Sequence, residues 1–488
     1  MRHITFIFIT VLFLGQAKAQ ESADTIMQFD LPGAVNYALE HNKELMSARQ
    51  ELVRTERSIW EAISQGLPKA DFLVDYMTYF NYELEFALGG DEDFEFSDEQ
   101  INTAMTNTLS QPQFSTLTPQ DLNIHFAGSY FDSELQSMMP PSTILMSDQL
   151  TAKLQVSQLV FSGQYFVGIQ TAKLGKIISK QALDNSEIGT KESVINAYYL
   201  ILISEKSLDY IEKNLENIRK TYQQTQRMVD AGMAEQLDAD QFKVTVNQLE
   251  NTKRSMKRNL ELNYNMLRFT MGLPAGTKIE LNDTLEDLFK EMEAIDLLMQ
   301  DFDVNQNITY QILNSQAEIN KKLWNMEKWN YGPNLAAYYN YNFKILTTGF
   351  DMTPNHLLGF SLTVPIFSSG LRDAKADQAR ITYEISKRDA EILSDQLELQ
   401  NRQLKYNLQN SLENFHTQQE NVEVAQSLYE NYQRKYDHGM ASSLDVTQSN
   451  SNYLDAQSNY LNAMFEVMDA RIQLDKLMNN LNDLTGEN

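Results

Sequence analysis

The sequence has no cysteine. That excludes disulfides, thiol catalysis, cysteine metal sites and a lipid-modified N-terminal cysteine, so any membrane anchoring must come from the fold. Positive charge is short: 40 Lys and Arg stand against 66 Asp and Glu, a net charge of −26. Nucleic acid and anionic lipid surfaces are poor partners for such a chain, because phosphate binding needs basic surface; an acidic interior would favour cations. Long apolar runs are missing beyond the extreme N-terminus, so no segment reaches the roughly 18–20 residues of a spanning helix. The six histidines (His3, His41, His125, His356, His416 and His438) are scattered without metal-ligand spacing. There is no glycine-rich phosphate loop and no nucleophile elbow. The sequence predicts no enzyme, no cofactor and, at its histidines, no metal site.

The N-terminus, MRHITFIFITVLFLGQAKAQ, has a basic start, an apolar stretch and small residues at Ala17 and Ala19. It reads as a secretory signal over 1–19, cut before Gln20. Losing Arg2 and Lys18 takes the charge from −26 to −28.

The remainder is written twice. Residues 222–241 and 429–448, offset by 207, share 10 identities in 20 positions. The turns at their centres read DAGMAEQLD and DHGMASSLD. Each closes a long proline-free stretch, 163–230 and 370–437, and precedes a returning helix, 237–272 and 444–481. At 1.5 Å per residue each long stretch reaches roughly 100 Å. Their distal parts share a heptad phase: Leu208, Ile211, Leu215, Ile218, Tyr222, Thr225 and Val229, then Phe415, Gln418, Val422, Ala425, Tyr429, Tyr432 and Tyr436. That is a coiled-coil seam. Gly232 and Gly439 suit the left-handed position that ends a helix. Ser442 with Asp445 reads as a capping box; Glu235, its counterpart, is a weaker cap.

Before each long helix the period changes from 3.6 to 2. Helical stretches end at Gly66–Pro68 and at Gly332–Pro333, and strands follow at about 70–86 and 150–162, then 334–345 and 356–367. One face of each is apolar: Phe72, Val74 and Tyr76 in the first, Leu358, Phe360 and Leu362 in the last. Each is about long enough to cross a bilayer as a tilted strand. Four strands cannot close a barrel, and open edges in lipid leave unpaired backbone groups, so membrane insertion demands several pooled copies.

With these parts in order, the chain resembles the TolC-like outer-membrane efflux protein family. The resemblance rests on GAVNYALEHNKEL, on the strand-to-helix joints LVFSG (159–163) and VPIFSSG (364–370), and on the paired turns. It implies a mainly α fold with a transmembrane β-barrel contribution. Two tandem repeats (20–273 and 305–481) flank a linking segment (274–304), with a tail at 482–488. It implies a homotrimer with a 12-stranded barrel in the outer membrane and an α-helical tunnel across the periplasm. As a passive exit duct of a tripartite efflux or type I secretion system, it would meet a periplasmic adaptor and an inner-membrane pump. Residue by residue, Gly232, Met233, Ala234, Gly439, Met440 and Ala441 would contact the adaptor. Asp445, Asp238, Tyr436, Gln448 and Gln241 would surround the tunnel aperture. In the family's prototype a Tyr and an Arg hold an Asp of the other turn; Tyr436 and Asp238 match, but Ala441 stands where the Arg would be. The insertion at 87–149 would lie outside the cell, as a solvated loop, a cap on the barrel mouth or a divalent-cation site at Asp91, Glu92 and Asp93. The rival reading is a secreted coiled-coil scaffold or adhesin without transport activity.

Overall fold

The structure is a computed structural model that describes residues 26–78, 80, 82–86, 142–146, 148–292, 296–346 and 354–481. The signal sequence, the acidic run at Asp91, Glu92 and Asp93 and the 482–488 tail lie outside the described residues. In chain order the elements are β1 (Met27–Phe29), α1 (Leu31–His41), α2 (Lys43–Ser64), β2 (Lys69–Met77), β3 (Tyr82–Phe86), β4 (Ser142–Met146) and β5 (Gln149–Ser162). Then come α3 (Gly163–Asp230), α4 (Gln236–Met271), β6 (Ile279–Leu281), α5 (Leu285–Met292), α6 (Asp296–Met299) and α7 (Ile308–Lys328). The chain closes with β7 (Asn334–Leu346), β8 (His356–Thr363), α8 (Leu371–Asp437) and α9 (Ser443–Met478). Two compact units result: Ile63–Phe166 with Trp329–Ser368 form a sheet unit, and the other residues a helical unit.

In the helical unit, the absence of proline lets α3 run 68 residues and α8 run 67. Their apolar stripes build two cores. The larger joins Ile195, Tyr198, Tyr199 and Ile201 of α3 to Val467, Met468 and Ile472 of α9, with Val35 of α1 and Met271 of α4. The smaller gathers Leu215, Ile218, Phe242, Val246, Leu249, Tyr429 and Val446. The heptad seam largely lies inward, with Ile218 and Thr225 fully buried. Tyr432 is an exception at 36% exposure, while its neighbour Gln433 is half-buried. The segment at 274–304, read as a linker, also contributes to the core through some of its described residues: β6 pairs in parallel with β1, and Leu285, Phe289 and Leu297 are buried. Three-residue strands carry no periodicity, which is why the sequence reading passed over them.

The sheet unit is a four-stranded antiparallel sheet in the order β2-β5-β7-β8. Register sets Phe72, Val74 and Tyr76 opposite Leu154, Ala152 and Leu150, and Leu358, Phe360 and Leu362 opposite Tyr339, Ala337 and Leu335. One face is therefore apolar along most of the sheet, with Gln158, opposite Ala337, an exception, yet Phe72, Leu358 and Phe360 are 66–68% exposed. The opposite face pairs Asp71 with Gln155 and Gln155 with Asn340. A polar face backed by a bare apolar one is the pattern of a barrel wall in lipid.

Two strand boundaries differ from the sequence reading. The strand expected at 70–86 breaks into β2 and β3, because Phe80 sits in the left-handed region with φ 51. β3 pairs with β4 in a separate two-stranded antiparallel sheet, so the connection drawn at 87–149 begins after Phe86 and ends before Ser142. The strand expected to reach 367 stops at Thr363, two residues before Pro365, which has no N–H to donate.

Candidate functional site at the helical hairpin tips

The two repeated turns close with the same pair of hydrogen bonds. At the first, Gly232 N–H donates to the Val229 carbonyl and Met233 N–H to that of Met228, both at 2.8 Å. At the second, Gly439 N–H donates to Tyr436 (2.9 Å) and Met440 N–H to Lys435 (2.7 Å). This double bond is the Schellman closure, which needs a left-handed residue; Gly232 and Gly439 have φ 74 and 72. The closure leaves the next side chain without cover: Met233 is 71% exposed and Met440 69%. Ala234 and Ala441 complete the two tips, and Ala441 offers no charged group where the prototype's arginine would stand.

The returning helices start differently. Ser442 accepts from Asp445 N–H at 3.2 Å and donates its own N–H to the Asp445 carboxylate at 2.9 Å, the capping box expected. The Ser442 hydroxyl, donating to the Asp445 carboxylate at 2.7 Å, and then the Ser442 N–H hold that carboxyl below its ordinary value. Glu235 caps α4 with its backbone alone.

Asp238 and Gln241 converge on a residue the sequence reading missed. Ser443, 2% exposed, lies 2.6 Å from the Asp238 carboxylate and 2.5 Å from the Gln241 side-chain amide. A hydroxyl has one proton, so with Asp238 accepting it the amide serves best turned over, its N–H donating to Oγ. This cluster ties the first turn of α4 to the first turn of α9. Ser443 gave no signal, since its repeat partner is the exposed Gln236.

Tyr436 does not hold Asp238 in a direct bond. Its hydroxyl pairs with Thr225 at 2.9 Å, and its ring packs edge-on against Phe242 at 5.4 Å. Burial pushes its hydroxyl pKa up, partly offset by the Thr225 bond. Within one copy Tyr436 pairs with Thr225 and Asp238 with Ser443, two separate pairings. Gln448 donates to Asn452 at 3.0 Å and borders a polar cavity of about 350 Å³ shared by α4 and α9. No group of His, Asp and Glu among the described residues is placed to hold a metal ion.

The sequence matches the family model described as outer membrane efflux protein over residues 144–273 and 326–480. The chain belongs to that family, and its place is the outer membrane. No curated protein matches it. Solved structures share its fold at low identity. The outer membrane protein VceC from Vibrio cholerae is 14% identical with a TM-score of 0.64, covering 92% of this chain and 95% of its own. The Campylobacter jejuni CmeC outer membrane channel is 13% identical at 0.67, covering 92% and 85%. The open state of the Neisseria gonorrhoeae MtrE outer membrane channel is 12% identical at 0.63, covering 92% and 89%. Family membership leaves the secreted-scaffold reading without support.

Proposed function

We propose that three copies of this chain form a passive duct from the periplasm to the exterior, the outer-membrane component of an efflux or type I secretion system. The observation that carries this is the unclosed sheet, with one apolar and one polar face. Two copies would supply eight strands, whose interior side chains fill the barrel; three supply twelve, which leave a lumen. Pooling strands also removes the free edges of β2 and β8, which lipid cannot satisfy. The helices of the three copies would enclose the periplasmic tunnel.

The hairpin tips are the docking point for a periplasmic adaptor that couples the duct to an inner-membrane pump. Met233 and Met440 are exposed, flexible and apolar, a side chain suited to adaptable contact. Gly232, Ala234, Gly439 and Ala441 keep the surroundings small. Asp238, Asp445, Gln241, Gln448 and Tyr436, at the same end of the helices, border the aperture.

The test is electrical and chemical together. Reconstituted in a planar bilayer, the protein gives discrete channel openings, and photo-crosslinkers at Met233 and Met440 capture an adaptor in intact cells. A pure, folded sample that never conducts would remove the duct. Conduction with no adaptor captured at either methionine would remove the docking role and leave the duct.

A further inference from the structure

The strand-to-helix joint after β8 is barer than the sheet it leaves. Apolar side chains on the open face of β8 reach 67–68% exposure at Leu358 and Phe360. Ile366 reaches 93% and Phe367 84%, in a segment with no regular structure. Leu358 and Phe360 keep β7 on one side, whereas Ile366 and Phe367 stand beyond the last pair of the sheet, Asn334 with Thr363. The matching joint of the first repeat is not bare in this way: β5 runs to Ser162, α3 begins at Gly163, and a side chain on Gly163 would meet the Trp329 ring at 2.0 Å.

Topology says what lies beside the bare joint when the sheet closes on another copy. Lys69 is opposite Ser157, while Ser162 is opposite Asn334 and Asn334 opposite Thr363, so the starts of β2 and β7 and the ends of β5 and β8 lie toward one end of the sheet, with β2 starting short of Ser162. β2 enters the sheet at that end and β8 leaves there. With every neighbouring pair antiparallel, β8 of one copy and β2 of the next also meet antiparallel. The residues after Thr363 and the residues before Lys69 of the neighbour then emerge on the two sides of one seam, toward its helix end. At that end, Leu67 is 40% exposed and Phe166 50%, with the Phe166 ring 6.1 Å from Phe161 and 5.3 Å from Tyr165.

We propose that Ile366 and Phe367 seat on the turn at Leu67 and Pro68 and on Phe166 of an adjacent copy of this chain, an apolar clasp that closes each seam at the helix end of the barrel. The clasp rests on the multimeric reading above and adds to it a specific contact that strand pairing alone does not require. Lipid is the competing occupant. It would cover the apolar face of the sheet, but it does not supply a lateral neighbour to residues that stand beyond the last pair.

A cysteine-free chain makes the experiment direct. The full protein carrying Leu67→Cys with Phe367→Cys is extracted from outer membranes in mild detergent, oxidised, and run denatured without reductant. Most of the chain is expected as covalent multimers that collapse to one copy on reduction, while each single-cysteine variant stays uncrosslinked. The pair Pro68→Cys with Ile366→Cys repeats the test with different vectors, since a disulfide needs Cα atoms within about 7 Å. Native mass is measured alongside. A multimer that crosslinks through neither pair overturns the clasp and leaves the multimer standing; a single-copy mass overturns both. A spin label on Phe367→Cys that is broadened by nickel-chelating lipid in vesicles overturns the clasp in favour of lipid.

Discussion

Asn42 and Asn307 make the same three hydrogen bonds in the two repeats. The Asn42 side-chain oxygen accepts from Glu44 and Leu45 N–H at the start of α2, and its amide donates to the Thr270 carbonyl in the last turn of α4. The Asn307 oxygen accepts from Thr309 and Tyr310 N–H at the start of α7, and its amide donates to Leu477 in the last turn of α9. Thr270 and Leu477 are 207 positions apart, the offset of the hairpin tips. Each asparagine thus caps one helix with its oxygen and finishes another with its amide.

Replacing either asparagine with alanine removes a cap and leaves a carbonyl without its partner. Each change should cost about 1–3 kcal/mol, read as a lower midpoint in denaturant unfolding of the detergent-solubilised protein. Equal losses at the two sites would match their equal bonding; a neutral result at either would deny it the role.

Glycine matters differently at two left-handed positions. At Gly439 a Cβ would meet nothing within 4 Å, so Gly439→Ala should cost only the conformational strain, about 1–2 kcal/mol. At Gly272 the Cβ would lie 2.3 Å from the His41 carbonyl oxygen, which is backbone and cannot swing away. Gly272→Ala should therefore destabilise clearly more than Gly439→Ala in the same unfolding assay.

Tyr429 carries a buried hydroxyl with no partner among the described residues. Burial, with Tyr453 nearby, pushes its pKa up to about 12 from an ordinary 10.0. A raised phenol pKa means the folded state holds its proton longer. The associated stability is complete below pH 10 and lost as pH rises towards 12. Tyr429→Phe should be neutral or stabilising by about 1 kcal/mol at neutral pH. It should also flatten the alkaline fall in melting temperature; an unchanged fall would place that sensitivity elsewhere.

Asp238→Asn with Asp445→Asn should lower cation preference in single-channel recordings, as reversal potential under a salt gradient. The Asp445 carboxyl is held below its ordinary 3.8, so its charge, and its part in the Ser442 cap, persist until pH falls beneath that value. Selectivity unmoved by the double change would take these residues out of the aperture.

Much of this architecture is legible in the chain because it follows from local rules. Proline-free stretches with a glycine beyond them became α3 and α8, and alternating faces became the sheet. Phe80 defeated the strand reading, since its left-handed backbone interrupts a pattern that its own side chain continues. Pro365 could have warned that β8 ends early. Ser443, Asn42 and Asn307 could not be read as contacts, because each acts on a helix more than 150 residues away.

By itself the sequence determined the duplication, the long helices, the closed turns at Gly232 and Gly439, and an apolar face on every strand of the sheet, all of which depend on spacing along the chain. The tertiary structure alone decided that Asp238 bonds Ser443 while Tyr436 turns to Thr225, and that Ile279, Leu285, Phe289 and Leu297 join the core. Those outcomes depend on which distant atoms packing brings within about 3 Å, a distance that no periodicity encodes.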